Sequence, residues 1–144
     1  MVGLNDARKR DNHTNMKGFQ HVGLQFFKWI LSHGLHQKDF FTLCGNRHWQ
    51  PHTKHSLGIE EFSCGALINS TSRLGRKPGD PKSTDPNATI RQFYNQKVSS
   101  GHFLRVVIAS HGKAVFEFYD EHGKQLLQTV KDPSMQLSSL KTRN

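Results

Sequence analysis

The sequence has only 2 cysteines in 144 residues, too few for a fold held by several disulfides. No stretch approaches the ~18 consecutive apolar residues of a membrane span. The first residues, Met1-Val-Gly-Leu-Asn-Asp-Ala-Arg-Lys-Arg, show no apolar core of the secretory kind. Acidic residues are scarce, 11 against 20 lysines and arginines, which leaves a net charge of +9. Hydrophobic residues make up 34% and mean hydropathy is −0.67, so any core must be economical. Ten phenylalanines are nevertheless present, and a disordered chain is poor in aromatics. Length and composition together describe one ordinary domain.

The positive charge favours phosphate-bearing partners in general. Its residues are dispersed, with short clusters at Arg8-Lys9-Arg10 and Arg73…Arg76-Lys77, more like a solvated surface than a nucleic-acid stripe.

Residues 1–16 are polar and aperiodic and read as a tail or entering loop. From Lys17 to Ser32, Phe19, Val22, Leu24, Phe26, Phe27, Trp29, Ile30 and Leu31 fill one broad arc at ~100° per residue. This predicts a strongly amphipathic helix that stops near Gly34 and needs a wide partner surface such as a sheet. Phe40-Phe41-Thr42-Leu43-Cys44 predicts a strand buried on both faces, and Ile59–Ala66 a second strand. Residues 69–89 hold three of the five prolines and predict a long loop, which is uncommon unless functional. His102–Ala109, Ala114–Asp120 and Gln125–Val130, separated by His-Gly turns, predict a three-stranded meander. Residues 132–144 are polar and predict a flexible tail. The order predicts an α/β or α+β arrangement with antiparallel strands at its end.

Candidate chemistry gathers where the first strand ends, at Cys44-Gly45-Asn46-Arg47-His48-Trp49. Asn46 and His48, two residues apart after a strand end, can enter one crevice, and both offer metal-ligand atoms. Arg47 between them offers a bidentate fork for phosphate. The same residues also fit an ordinary polar loop. His48, His52 and His55 form a histidine-rich tract, and Cys44 and Cys64 complete a nominal zinc set. However, no CxxC or HExxH motif accompanies them, and Cys44 lies within an apolar strand. A Cys44–Cys64 disulfide has no support from spacing. Asp11-Asn12-His13-Thr14-Asn15 supplies Thr14 or Asn15 as a helix N-cap, or alternatively an anion site beside His13. No nucleophile elbow, P-loop or Rossmann fingerprint is present.

Read in order, Leu43-Cys44-Gly45-Asn46-Arg47-His48-Trp49-Gln50 and Gly58-Ile59-Glu60-Glu61-Phe62-Ser63-Cys64-Gly65-Ala66 resemble the C-terminal part of the PhoD-like (alkaline phosphatase D) metallophosphoesterases. Those read C-G-D-R-H-W-Q and then G-x-x-E-F-S-C-G. Asp11–Asn15 is similar to their D-N-H-A-N segment, and the Arg73–Pro81 loop and Phe116–Asp120 also fit, so the resemblance spans roughly residues 8–131. It implies a calcineurin-like core of two mixed sheets flanked by helices, within residues 17–131. It also implies hydrolysis of phosphate monoesters or diesters at divalent or trivalent metal ions, with Ca, Fe, Zn and Mn as candidates. Asn46 takes the acidic ligand position, His48 the histidine position, and Arg47 and His13 are candidate phosphate contacts. Asn46 replaces the family's Asp, and the family's upstream ligand motifs are absent. The expectation is therefore a fragment that lacks the N-terminal part of its domain and is inactive alone. Full-length members are commonly exported. The rival expectation is a non-catalytic basic protein that binds nucleic acid or another polyanion, marked by steep salt dependence.

Overall fold

A computed structural model describes residues 20–45 and 48–134. They form a mixed α/β arrangement of one helix and two sheets, one four-stranded and one three-stranded. The helix α1 spans Gln20–Ser32. It ends where Gly34 takes a left-handed conformation (φ 64°) that costs a glycine little. The Nδ1 of His33 lies 2.8 Å from the Trp29 carbonyl and serves one of the helix's terminal acceptors. Residues 17–19 and the candidate cap at Thr14 or Asn15 lie outside the described residues.

The broad apolar arc of α1 is only half used. Gly23, Phe27 and Ile30, at i, i+4 and i+7, are buried, and Phe27 and Ile30 pack with Ile59 against Leu35, Phe40 and Leu57. Each large side chain contributes ~1.5–3 kcal/mol by leaving water. The neighbouring stripe remains outside, with Phe26 48% and Trp29 50% exposed, their rings stacked 6.4 Å apart.

The first sheet contains β1 (Phe41–Cys44), β2 (Pro51–Lys54), β3 (Glu60–Ser63) and β4 (Arg91–Asn95), in the spatial order β1-β3-β2-β4. β1 runs parallel to β3, whereas β2 is antiparallel to both β3 and β4. One expectation needs correction: β1 is an edge strand, with Leu43 60% exposed, and is not buried on both faces. Pro51–Lys54, for which the sequence suggests no element, is an interior strand: His52 and Thr53 are buried because their neighbours on β3 and β4 enclose them.

The second sheet is the expected meander: β5 (His102–Ile108), β6 (Ala114–Asp120) and β7 (Gln125–Lys131), paired antiparallel in chain order. Alternate β6 residues Ala114, Phe116 and Phe118 face inward, as the two-residue period of a strand requires. They meet Phe62 of β3, whose ring stacks on Phe116 at 3.8 Å and 6°. Phe41 approaches Phe116 edge-on at 5.2 Å, so the principal core lies between the sheets. No helix among the described residues is long and apolar enough to cross a membrane.

The long loop over residues 69–89 is tightly seated. Asp85 is its hub, accepting from the backbone of Thr89 and Ile90 at 2.8 Å each and from the Thr89 hydroxyl at 2.7 Å. Gly75 lies against buried Trp49 so closely that a Cβ there would stand 2.2 Å from the indole Nε1. Gly75→Ala is expected to push the loop off Trp49 and destabilise the fold by about 1–3 kcal/mol, the usual range for overpacking. Urea titration followed by tryptophan emission measures it. Gly45→Ala, which meets nothing within 4 Å, is the control and should lie within about 0.5 kcal/mol of the parent.

Candidate functional site

The site grows from the end of β1. After Cys44 and Gly45 the chain passes through Asn46 and Arg47, both outside the described residues, and returns at His48. The loop holds His48 at two points. Its carbonyl accepts from the Arg73 N–H at 2.7 Å, and its Nδ1 lies 2.6 Å from the Thr71 carbonyl. A carbonyl can only accept, so Nδ1 carries the proton, and in the neutral ring Nε2 keeps its lone pair. This is the arrangement by which a second group orients a metal-binding imidazole.

The next residues continue the clamp. The Gln50 N–H donates to Gln96 Oε1 at 2.7 Å, and the Gln96 side-chain amide donates to the Arg73 carbonyl at 3.0 Å and the Ser72 hydroxyl at 3.1 Å. The Gln50 amide in turn reaches the Phe103 carbonyl of β5 at 2.9 Å. Residues 48–50, the loop and both sheets are thus joined by one buried polar network, and such a network rigidifies what it touches. Arg73 and Lys77 are exposed on this loop, while Arg76 pairs with Asp80 at 3.0 Å.

The histidine tract does not converge. His52 points between the sheets, stacked 4.1 Å from Phe62, with its Nε2 2.6 Å from Glu60 Oε1. His55 packs against Phe27 at 5.2 Å, and its Nδ1 accepts from the Leu57 N–H at 3.2 Å. Burial pushes the His55 imidazole down, against a smaller opposing pull from Asp85. Cys44 and Cys64 are not joined in a disulfide, and burial pushes the Cys64 thiol up. Among the described residues no group of three or more His, Cys, Asp or Glu side chains is placed to hold a metal ion. His13, the other candidate phosphate contact, lies outside the described residues.

Motif reasoning did not find the cluster formed by Glu60, His52 and Lys131. Glu60 Oε1 accepts from His52 and from Lys131 Nζ, each at 2.6 Å, and Lys131 belongs to the other sheet. The signal was weak: a polar Pro-His-Thr-Lys strand and a Glu-Glu pair ahead of an apolar residue. No protein-family model matches this sequence, and no curated protein matches it at a significant level.

Proposed function

We propose that this chain is the C-terminal portion of a PhoD-like, metal-dependent phosphoesterase of calcineurin-like fold, acting on phosphate monoesters or diesters once the rest of its domain is present. The observation that carries this reading is the fixed tautomer of His48. An imidazole just past a strand end, with Nδ1–H spent on the Thr71 carbonyl, offers Nε2 as a single oriented ligand atom.

Metal ions bound there would polarise phosphoryl oxygens and supply a hydroxide near neutral pH. His48 and Asn46 fit the requirement in kind, one nitrogen and one neutral oxygen donor. Arg47 suits a phosphate oxygen through its planar fork, and His13 is the weaker candidate. One histidine and one amide make an incomplete set, so the remaining ligands belong to the upstream part of the domain. The half-exposed Phe26 and Trp29 stripe of α1 supports the same reading, since a helix of this kind lies against more sheet than the chain supplies.

The isolated chain is expected to hydrolyse nitrophenyl phosphate mono- and diesters no faster than buffer in Mn²⁺, Zn²⁺, Ca²⁺ or Fe³⁺. It should still bind one transition-metal ion weakly, seen as a selective shift of the His48 ring resonances and lost in His48→Ala. Asn46→Asp, which adds a negative charge to the ligand set, should tighten that binding about tenfold. Turnover at enzymatic rates that His48→Ala abolishes would contradict the inactivity. Metal binding indifferent to both substitutions would remove the metal-site reading.

A further inference from the structure

Gln96, the residue after β4, is buried, and both polar atoms of its side chain are engaged. Its backbone N–H donates to the Gln50 carbonyl at 3.1 Å, and its Oε1 accepts from the Gln50 N–H at 2.7 Å. Residue 50 is thus gripped at both of its backbone groups. On the other side, Nε2 lies 3.0 Å from the Arg73 carbonyl, 3.1 Å from the Ser72 hydroxyl and 3.2 Å from the Val98 carbonyl. These partners decide which way the amide faces. A backbone N–H needs its oxygen and the two carbonyls need its nitrogen, so the flipped amide would set oxygen against oxygen.

The two sets of contacts stand on either side of His48. Gln50 follows it on the chain that carries the imidazole. Ser72 and Arg73 follow Thr71, whose carbonyl meets the His48 Nδ1 at 2.6 Å. The short turn Asn69–Thr71 buries none of its residues, so the place of that carbonyl depends on what grips the loop from outside. A retreat of the Thr71 carbonyl by about 1 Å would carry the contact past ~3.5 Å, where no hydrogen bond remains. The neutral ring could then move its proton to Nε2, the atom it otherwise offers to a ligand.

We propose that Gln96 is a positioning residue for His48: by tying Gln50 to Ser72 and Arg73, it holds the Thr71 carbonyl where the proton must stay on Nδ1. It acts through the loop and through Gln50, at one remove from the ring. Loss of the group that orients a metal-binding imidazole weakens metal binding about 10–100-fold, and Gln96 supports that group from behind. What the imidazole is positioned for rests on the phosphoesterase reading; the clamp itself does not.

Nitrogen-15 NMR of the histidine rings in the full chain tests it, at about pH 8, where imidazoles are neutral and the ring shifts report the tautomer. The parent is compared with Gln96→Glu and Gln96→Met, and His48→Ala assigns the signal. Gln96→Glu keeps the shape and the acceptor for Gln50 but sets a carboxylate against the Arg73 and Val98 carbonyls. Gln96→Met removes both functions. Ile30→Ala, which opens the separate core beneath α1, lowers stability without touching the clamp and serves as control. Circular dichroism verifies the fold, and either Gln96 variant alone suffices. The expected result is Nδ1–H at His48 in the parent and in Ile30→Ala. Both Gln96 variants should shift toward Nε2–H and bind Zn²⁺ at this ring about tenfold more weakly. Unchanged Nδ1–H in the Gln96 variants overturns the proposal and leaves the metal-site reading standing. The same tautomer change in Ile30→Ala also overturns it, because general loosening would then be enough. A tautomer that responds to Gln96 in a chain whose His48 takes no Zn²⁺ upholds the clamp and removes the metal-site reading.

Discussion

Phe62→Ala is expected to cost about 3–5 kcal/mol, a large share of the ~5–15 kcal/mol by which an ordinary domain is stable. Phe62 is wholly buried at the point where the two sheets meet. Phe116 stacks on it at 3.8 Å, His52 at 4.1 Å on the same sheet, and Phe41 meets it edge-on at 6.0 Å. Truncation removes the ring that all three share, and two rigid sheets cannot close on the void. Phe103→Ala is the informative comparison. Phe103 stacks on Tyr119 at 4.9 Å on the outward face of the meander and is 39% exposed. Its loss should cost about 1 kcal/mol, in the range of an exposed aromatic pair. Urea titrations followed by circular dichroism measure both. A Phe62→Ala cost below about 1.5 kcal/mol would mean that the sheets do not depend on this contact.

Glu60→Ala is expected to cost about 2–4 kcal/mol, less than a fully buried pair because Lys131 keeps access to water. His52 has no such escape. With Glu60 gone, its Nε2 loses its partner inside the core, and its Nδ1 already has none. The double variant Glu60→Ala/His52→Leu should recover part of the loss, since an apolar pair leaves no stranded donor.

The same carboxylate sets an acid limit on stability. Burial alone would push the Glu60 carboxyl up. The hydrogen bonds from His52 and Lys131, with their charges, outweigh it and hold the carboxyl below the ordinary 4.5. A group whose native value is depressed binds fewer protons when folded than when unfolded. Its stabilisation is complete above pH 4.5 and is lost as pH falls through the lower native value. Unfolding midpoints measured from about pH 6 down to pH 3 should therefore fall more steeply for the parent than for Glu60→Gln. Parallel slopes would remove Glu60 from the acid response.

What the sequence disclosed, and what it hid, follows from how locally each element is determined. The meander is legible because inward Ala114, Phe116 and Phe118 alternate with outward residues. Its turns close on Gly112 and Gly123, both at positive φ, where few other residues sit comfortably. β2 is hidden because its burial is granted by neighbours. His52 becomes an interior residue only when Glu60 and Phe62 stand opposite, and no local period announces that. β1 misleads in the other direction. Its continuous apolar run is what an interior strand shows, yet its place in the sheet is decided by which strands flank it. For α1 the helical period is right, but the width of its apolar arc does not say how much of that arc is covered. At the site, the sequence offered four residues, and His48 alone falls within the described chain. The partners that orient it, Thr71 and Arg73, act through backbone atoms, and a backbone atom leaves no mark on residue identity.

The two tryptophans divide the molecule's emission between its two most informative surfaces. Trp29 stands half in water on α1, whereas Trp49 is 6% exposed beneath Gly75. A soluble quencher such as iodide reaches the first indole and is shut out from the second. Lifting of the loop would redden and open Trp49 to quenching, while a body settling on α1 would move Trp29 to the blue. Each event can thus be followed on the unlabelled chain, by colour and by quenching, without disturbing the other.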